Sequence, residues 1–388
     1  MSETQLVSTD DDVLAASGAA RAEGRAALDT EFMREKTYRA KLCLVQVATS
    51  DRIVLIDPMS GVDVGHIAEL IADENVEVVV HAGRQDFELF AEGFGVAPTR
   101  VYDVQLAAGF AGYGSSLPYG RLVEETTGTA LEKGESYTDW CKRPLTRSQI
   151  GYAAADVRHL LAVAEHLKHR IAELGRSEWV AEEMAALEGA EPYVFNPGAA
   201  WLRVSGRGSL NGRQTAVLRE VARWREEAAE RRDIPRGWVI KDVTLVEIAR
   251  RMPATAAALK SIRGMNAREV ERSGREILAA IDAGRSGAPV VRPPAPSRAA
   301  LARARMLSGL ADALVKSRCE EAGIASELVA TRSELDALLV DGHPDGSGHR
   351  LLRGWRKDVA GDDVVDLISG RVALKVVDEP PFVKEIRL

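Results

Sequence analysis

Between residues 24 and 60, apolar side chains come in short dense runs rather than at helical intervals. Ala26–Asp29 is brief and apolar, KLCLVQVAT (41–49) alternates and turns β-branched toward its end, and RIVLIDP (52–58) stops at a proline. Each run predicts a strand, because proline cannot donate to a ladder and β-branched side chains suit a pleated surface. The period then changes. DVGHIAELIADE (63–74) spaces its apolar positions as a helix, and VEVVVHAG (76–83) reads as a buried strand closed by glycine. RQDFELFAEGFG (84–95) returns to helical spacing, with Phe87, Phe90 and Ala91 on one face. The order β-β-β-α-β-α predicts an α/β domain with a mixed sheet, a three-stranded meander followed by a parallel addition. ARAEGRAALDT (20–30) is poor in β-branched residues, so the first strand is the one whose start is least defined. Residues 101–170 read as mostly helical, interrupted by polar loops at 112–120 and 132–146.

After about residue 190 the pattern becomes helical throughout. The chain divides into an α/β unit at 1–190, a proline- and glycine-bearing connector at 191–210, a helical module at 211–286, a proline-rich linker at 287–297 and a second helical module with a tail at 298–388. Leu218, Val221 and Ala222, then Leu245, Ile248 and Ala249, form core stripes, and Trp224 and Trp238 are expected in the same core. A Trp-Arg pair in each module (Trp224-Arg225 and Trp355-Arg356) suggests a diverged repeat.

Composition narrows the class. A chain of 388 residues with 46% hydrophobic and 28% charged positions folds as two or three soluble domains. The apolar runs are too short to span a bilayer, and the acidic N-terminus lacks the features of a signal peptide, which predicts no membrane association and a cytoplasmic location. Cys43, Cys141 and Cys319 are odd in number and far apart, which predicts free thiols in a reducing compartment. The net charge of −7 hides an asymmetry: from Arg203 to Arg285 eighteen lysines and arginines stand against eleven acids, so this block carries +7 and the rest −14. Such a basic block suits a phosphate backbone.

The candidate chemistry lies in acids at fixed structural positions. In a strand, Asp29 and Glu31 project from the same face, and two carboxylates held that close favour a cation between them. Asp86 follows a buried strand at the start of a helix, and Tyr152 and Asp156 are i and i+4 on another helix. Four carboxylates without thiolate or imidazole select hard cations, Mg²⁺ or Mn²⁺, and two such ions can clamp a displacement at phosphorus.

DTEF (29–32), HAGRQDFELF (81–90) and YAAAD (152–156), with VLIDP (54–58), DVQLAA (103–108) and LEKGESYTDWCKRPLT (131–146), resemble the ribonuclease D family of DEDD exonucleases, in the subclass with a catalytic tyrosine. The likeness covers essentially the whole chain. It implies a ribonuclease-H-like exonuclease domain followed by two all-α helical-bundle (HRDC-like) domains. It implies 3′→5′ release of nucleoside 5′-monophosphates from RNA with a free 3′ end, including precursor tRNA, by an enzyme with two divalent ions; separately, nothing in the sequence demands a multimer, and a monomer is expected. Asp29 then bridges both ions, Glu31 and Asp156 hold the one that binds the attacking water, Asp86 supports the second and Tyr152 orients the nucleophile. Thr30, Phe32, His81, Lys133 and Arg143 are candidate substrate contacts. Single-stranded DNA is the alternative substrate, and a non-catalytic RNA-binding scaffold a further one.

Overall fold

The computed structural model, which describes residues 3–131, 138–291, 295–342 and 348–388, begins with two elements absent from the hydrophobic pattern: β1 (Glu3–Val7) and α1 (Asp10–Glu23). The signals for α1 are electrostatic and conformational. The Thr9 side chain accepts from the Asp12 N–H, Asp10, Asp11 and Asp12 fill the first turn, and Gly24 ends the helix at φ 74°. A hydroxyl cap, acids at the positive helix end and a left-handed glycine are standard boundaries. Chain reversal at Gly24 starts β2 (Arg25–Met33), which is followed by β3 (Lys41–Ala48) and β4 (Arg52–Ile56). Next come α2 (Gly65–Ile71), β5 (Glu77–Val80), α3 (Arg84–Phe94), β6 (Val101–Asp103) and α4 (Val104–Ala111).

The sheet order is β1-β4-β3-β2-β5-β6. β2, β3 and β4 form the antiparallel meander and β5 adds parallel to β2, as the pattern predicts; β1 and β6 extend the two edges in parallel. Alternation sends Ala26, Leu28, Val45 and Val47 to a core with α1, α2 and α3. Ala27, Leu44, Ala48 and Leu55 face the opposite core, under α4, α5 (Tyr119–Thr127), α6 (Arg147–Arg158), α7 (Leu160–Glu173) and α8 (Ser177–Ala185).

The first helical module has its own core. It comprises α9 (Gly212–Arg231), α10 (Arg236–Val239), α11 (Asp242–Arg251), α12 (Ala256–Lys260) and α13 (Ala267–Ser286), closed around Leu218, Val221, Leu245, Ile248 and Ile277. α9 and α13 meet so closely at Gly284 that a β-carbon there overlaps the Val217 backbone. Trp224 is buried as expected, but Trp238 is 64% exposed and does not belong to the core. It lies on the four-residue α10, too short to turn every apolar side chain inward.

The second module contains α14 (Arg298–Ala322), α15 (Ser326–Val329), α16 (Arg332–Asp341), α17 (Gly354–Arg356) and α18 (Asp362–Ile368), and its tail forms a hairpin of β7 (Val372–Val376) and β8 (Val383–Arg387). α10 and α15 begin at residues 236 and 326, α11 and α16 at 242 and 332, a constant offset of 90. The Trp-Arg pairs at 224 and 355 are off this register and do not mark the repeat. This module shares the core of the α/β domain, with Leu314, Val315 and Leu328 beside Phe110, Val180 and Met184. Trp355 stacks on Trp179 at 5.3 Å, and Arg356 forks onto both Glu183 oxygens at 2.5 and 2.6 Å. Among the described residues no helix is long and apolar enough to cross a membrane.

Candidate active site

Asp29 and Glu31 leave β2 on the face that α6 covers, and the ladder to β3 shifts register between Glu31 and Phe32. Such a bulge bends the strand end and re-aims its side chains. α6 starts at a capping box in which Thr146 and Gln149 bond each other's backbone, which sets the helix so that Tyr152 and Asp156 point at the same spot. Asp29, Glu31 and Asp156 each offer an oxygen within 4.8 Å of the others. Tyr152 donates its O–H to Asp156. Trp140, from the loop before α6, lies 6.0 Å from the Tyr152 ring, centroid to centroid.

Asp86 reaches the site by another route. It lies in the first turn of α3, is buried, and accepts a hydrogen bond from the Thr30 hydroxyl. It stands outside the group of three, yet its charge is felt by Asp29 and Glu31. The turn that delivers it is held by Asp103, the N-cap of α4, whose carboxylate accepts from the N–H groups of Ala82 at 3.0 Å and Gly83 at 3.1 Å. That anchorage fixes Ala82 at φ 58°, a left-handed conformation unfavourable for alanine. Asp103 was not among the sequence candidates. Its signal was an aspartate between a short strand and an apolar helix.

Burial dominates the electrostatics. It drives the Asp29 carboxyl well above the usual carboxylate range, helped by Asp86, Asp156 and Glu31. Burial, then Asp156 and Asp86, raises Glu31 to about 8. Burial likewise lifts Asp86 and Asp156 to about 7, against the opposing hydrogen bonds from Thr30 and Tyr152. Carboxyls clustered and buried in this way are shifted toward their protonated form unless a cation compensates them. Oxygen donors at this spacing fit a hard divalent cation.

The remaining candidates separate. Phe32 and Glu31 line a cavity of about 690 Å³ with Lys36, Lys41, Asp139 and Trp140. Thr30 is buried and spent on Asp86, which makes it a support rather than a substrate contact. His81 points inward: its Nε2 is 3.1 Å from the Leu117 carbonyl and its ring packs on Tyr119. Arg143 is an internal tie, forked onto Asp57 at 2.5 and 2.6 Å and donating to the Cys43 carbonyl at 2.6 Å, not a surface cation open to phosphate. Lys133 lies outside the described residues. Tyr119 is an addition: its hydroxyl is buried, and burial followed by the Asp156 charge raises its ionisation.

Cys43 and Cys141 form a disulfide, contrary to the expectation of free thiols, while Cys319 is free and buried. Spacing alone could not show it, because folding brings β3 and a loop 98 residues away to a Cα separation of 5.1 Å. Cysteine usage therefore no longer supports a reducing compartment.

The family profile described as a 3′-5′ exonuclease matches residues 4–172. The HRDC domain profile matches residues 214–281, inside the first helical module. Ribonuclease D of Granulibacter bethesdensis is 40% identical over 376 residues, covering 96% of this chain and 94% of that protein. Ribonuclease D of Gluconacetobacter diazotrophicus is 39% identical over 381 residues, again covering 96% and 94%. The crystal structure of Escherichia coli RNase D, described as an exoribonuclease involved in structured RNA processing, aligns with a TM-score of 0.80 at 30% identity, covering 95% of this chain and 99% of that one. With a match of this depth along nearly its whole length, the chain belongs to the ribonuclease D family.

Proposed function

We propose that this chain is a 3′→5′ exoribonuclease that removes nucleoside 5′-monophosphates one at a time from the 3′ end of RNA, tRNA precursors among its substrates. The observation that carries this reading is the convergence of Asp29, Glu31 and Asp156 within 4.8 Å, beside Tyr152. Asp29, Glu31, Asp156 and Asp86 are the residues to hold two divalent ions, Mg²⁺ or Mn²⁺. Such ions supply an activated water and neutralise charge on the leaving oxygen. Asp29 feels the charges of both Asp86 and Asp156 and would be the carboxylate shared between the two ions. In this reading the Tyr152 hydroxyl, hydrogen-bonded to Asp156, holds the attacking water. Phe32, in the cavity lining, stacks against the terminal base, a contact that tolerates any sequence.

The basic helical module at 211–286 grips the RNA body through its phosphates, which supplies affinity without reading bases. The second module, with its long-short-medium helix series whose short and medium members keep the offset of 90, is a diverged HRDC-like domain that braces the catalytic unit instead. We propose that the protein acts as a monomer in the cytoplasm.

A time course on a 3′-extended tRNA, run with Mg²⁺, with Mn²⁺ and with chelator, tests the proposal. The expected result is a single-nucleotide ladder and 5′-monophosphate products that depend on the added ion. Internal cleavage products, or equal activity in chelator, refute it.

A further inference from the structure

Gln46 lies in the middle of β3, is fully buried, and neither its Oε1 nor its Nε2 meets a hydrogen-bond partner among the described residues. Its strand neighbours on the same face, Leu44 and Ala48, are apolar and buried, as is Leu55, its register partner on β4. An amide left unmatched in such surroundings is destabilising relative to a satisfied one. An apolar side chain of the same length fills that space without the penalty, so packing alone gives no reason for an amide here.

Register supplies the reason. In the antiparallel pairing of β2 with β3, Gln46 stands directly opposite Asp29. Residues so paired project from the same face, with β-carbons about 4.5–5.5 Å apart. The face in question is the one that α6 covers with Tyr152 and Asp156. A glutamine side chain spans that gap, and its NH₂ is the only kind of group it has that complements a carboxylate. Asp29 receives one backbone hydrogen bond, from Thr30, which leaves carboxylate lone pairs for a further donor.

We propose that Gln46 is a positioning residue for Asp29: in the cation-loaded enzyme its Nε2–H donates to the Asp29 carboxylate and holds that side chain in the rotamer that faces Glu31 and Asp156. The inference rests on the reading of the acidic cluster as a cation site. It deepens that reading by assigning the support for the carboxylate with the most central place. Donors behind a ligating group commonly change metal affinity about 10–100-fold when removed.

Gln46→Met is the test, in the full chain, because methionine keeps the length and removes both polar atoms. Three quantities are read: the melting temperature in chelator, the Mn²⁺ dissociation constant by calorimetry, and kcat with KM on a 3′-extended RNA. The expected outcome is an unchanged or higher melting temperature in chelator, Mn²⁺ binding weakened about tenfold, and a lower kcat at unchanged KM. In an Asp29→Asn background, Gln46→Met is expected to change Mn²⁺ binding no further. Gln46→Leu serves as the second variant should methionine not fold. Mn²⁺ affinity and kcat equal to the parent overturn the assignment, as does an equal loss of Mn²⁺ affinity in the Asp29→Asn background. If the parent protein itself binds no Mn²⁺, the cluster reading fails, and the Gln46 assignment fails with it.

Discussion

The Thr30 hydroxyl donates to the Asp86 carboxylate, joining a β2 residue to the first turn of α3. Thr30 alternates with Asp29 and Glu31, so it leaves the opposite face of the strand and reaches Asp86, one of the two acids that come from helices rather than from β2. Thr30→Val keeps the shape and deletes the donor. The variant is expected to lose about 1–3 kcal/mol of stability in denaturant melts, and Thr30→Ser is expected to recover most of it. Mn²⁺ binding is expected to weaken in the valine variant, since Asp86 loses the bond that favours its charged form. A valine variant with parental stability and Mn²⁺ affinity contradicts the assignment.

Tyr152→Phe removes the O–H held by Asp156 while the ring stays against Trp140. Groups that position or deprotonate a nucleophile contribute about 10²–10⁴-fold. A kcat loss in that range, with KM for RNA changed little, is expected from steady-state kinetics on a 3′-labelled oligonucleotide. A loss confined to KM assigns Tyr152 to substrate binding instead.

Asp29→Asn replaces the carboxyl that three other acids oppose. Nucleotide release is expected to fall by roughly 10³-fold or more, as for other residues that act within a unit. RNA binding measured by filter retention is expected to survive. Because a buried like-charge neighbour is gone, the chelator-treated variant should melt no lower than the parent.

The raised carboxyls make the stability of the cation-free protein depend on pH. Unfolded carboxyls titrate near 4, whereas folded Asp86 and Asp156 titrate at about 7 and Glu31 at about 8. Between those limits the folded chain holds protons that the unfolded chain has released. Stability therefore falls as pH rises from about 4 to 8. Melts in chelator across this window are expected to show the decline, and saturating Mg²⁺ is expected to flatten it. A melting temperature that climbs with pH in chelator contradicts the shared burial of these groups.

Arg356 is buried and ties α17 to Glu183 on α8 through two parallel bonds, while its Nε donates to the Leu328 carbonyl at 2.8 Å. Removing one member of a buried, hydrogen-bonded pair costs about 3–5 kcal/mol. Arg356→Met is expected to lower the calorimetric melting temperature accordingly. Arg356→Lys is expected to rescue little, because an ammonium cannot reproduce the fork.

The meander, the helix that carries Tyr152 and Asp156, and the four candidate acids were legible because each rests on a local period: two for strands, about 3.6 for helices. β1 escaped because QLV is too short to show a period, although the Thr9 cap and the acids behind it marked α1. What period cannot carry is partnership across the fold. Nothing local distinguishes Arg143 on Asp57 from a loop cation, Cys43 beside Cys141 from two free thiols, or Thr30 on Asp86 from a residue that meets substrate. Asp103 falls between the cases: its N-cap role was readable, but its grip on the Ala82–Gly83 turn was not.

The common core of the C-terminal helices and the α/β domain bears on how this enzyme can be taken apart. Phe110 and Trp179 lie under Trp355, so cleaving before Arg298 uncovers aromatic surface and strips a wall from the catalytic unit. The module at 211–286 closes its interior together with Ala200, Val204 and Leu210 of the connector, and meets the catalytic unit partly through Tyr38 and exposed charges such as Arg39 and Glu230. Of the two helical appendages, the one nearer in sequence has a core of its own, completed by the connector before it, and the distant one shares its core with the nuclease.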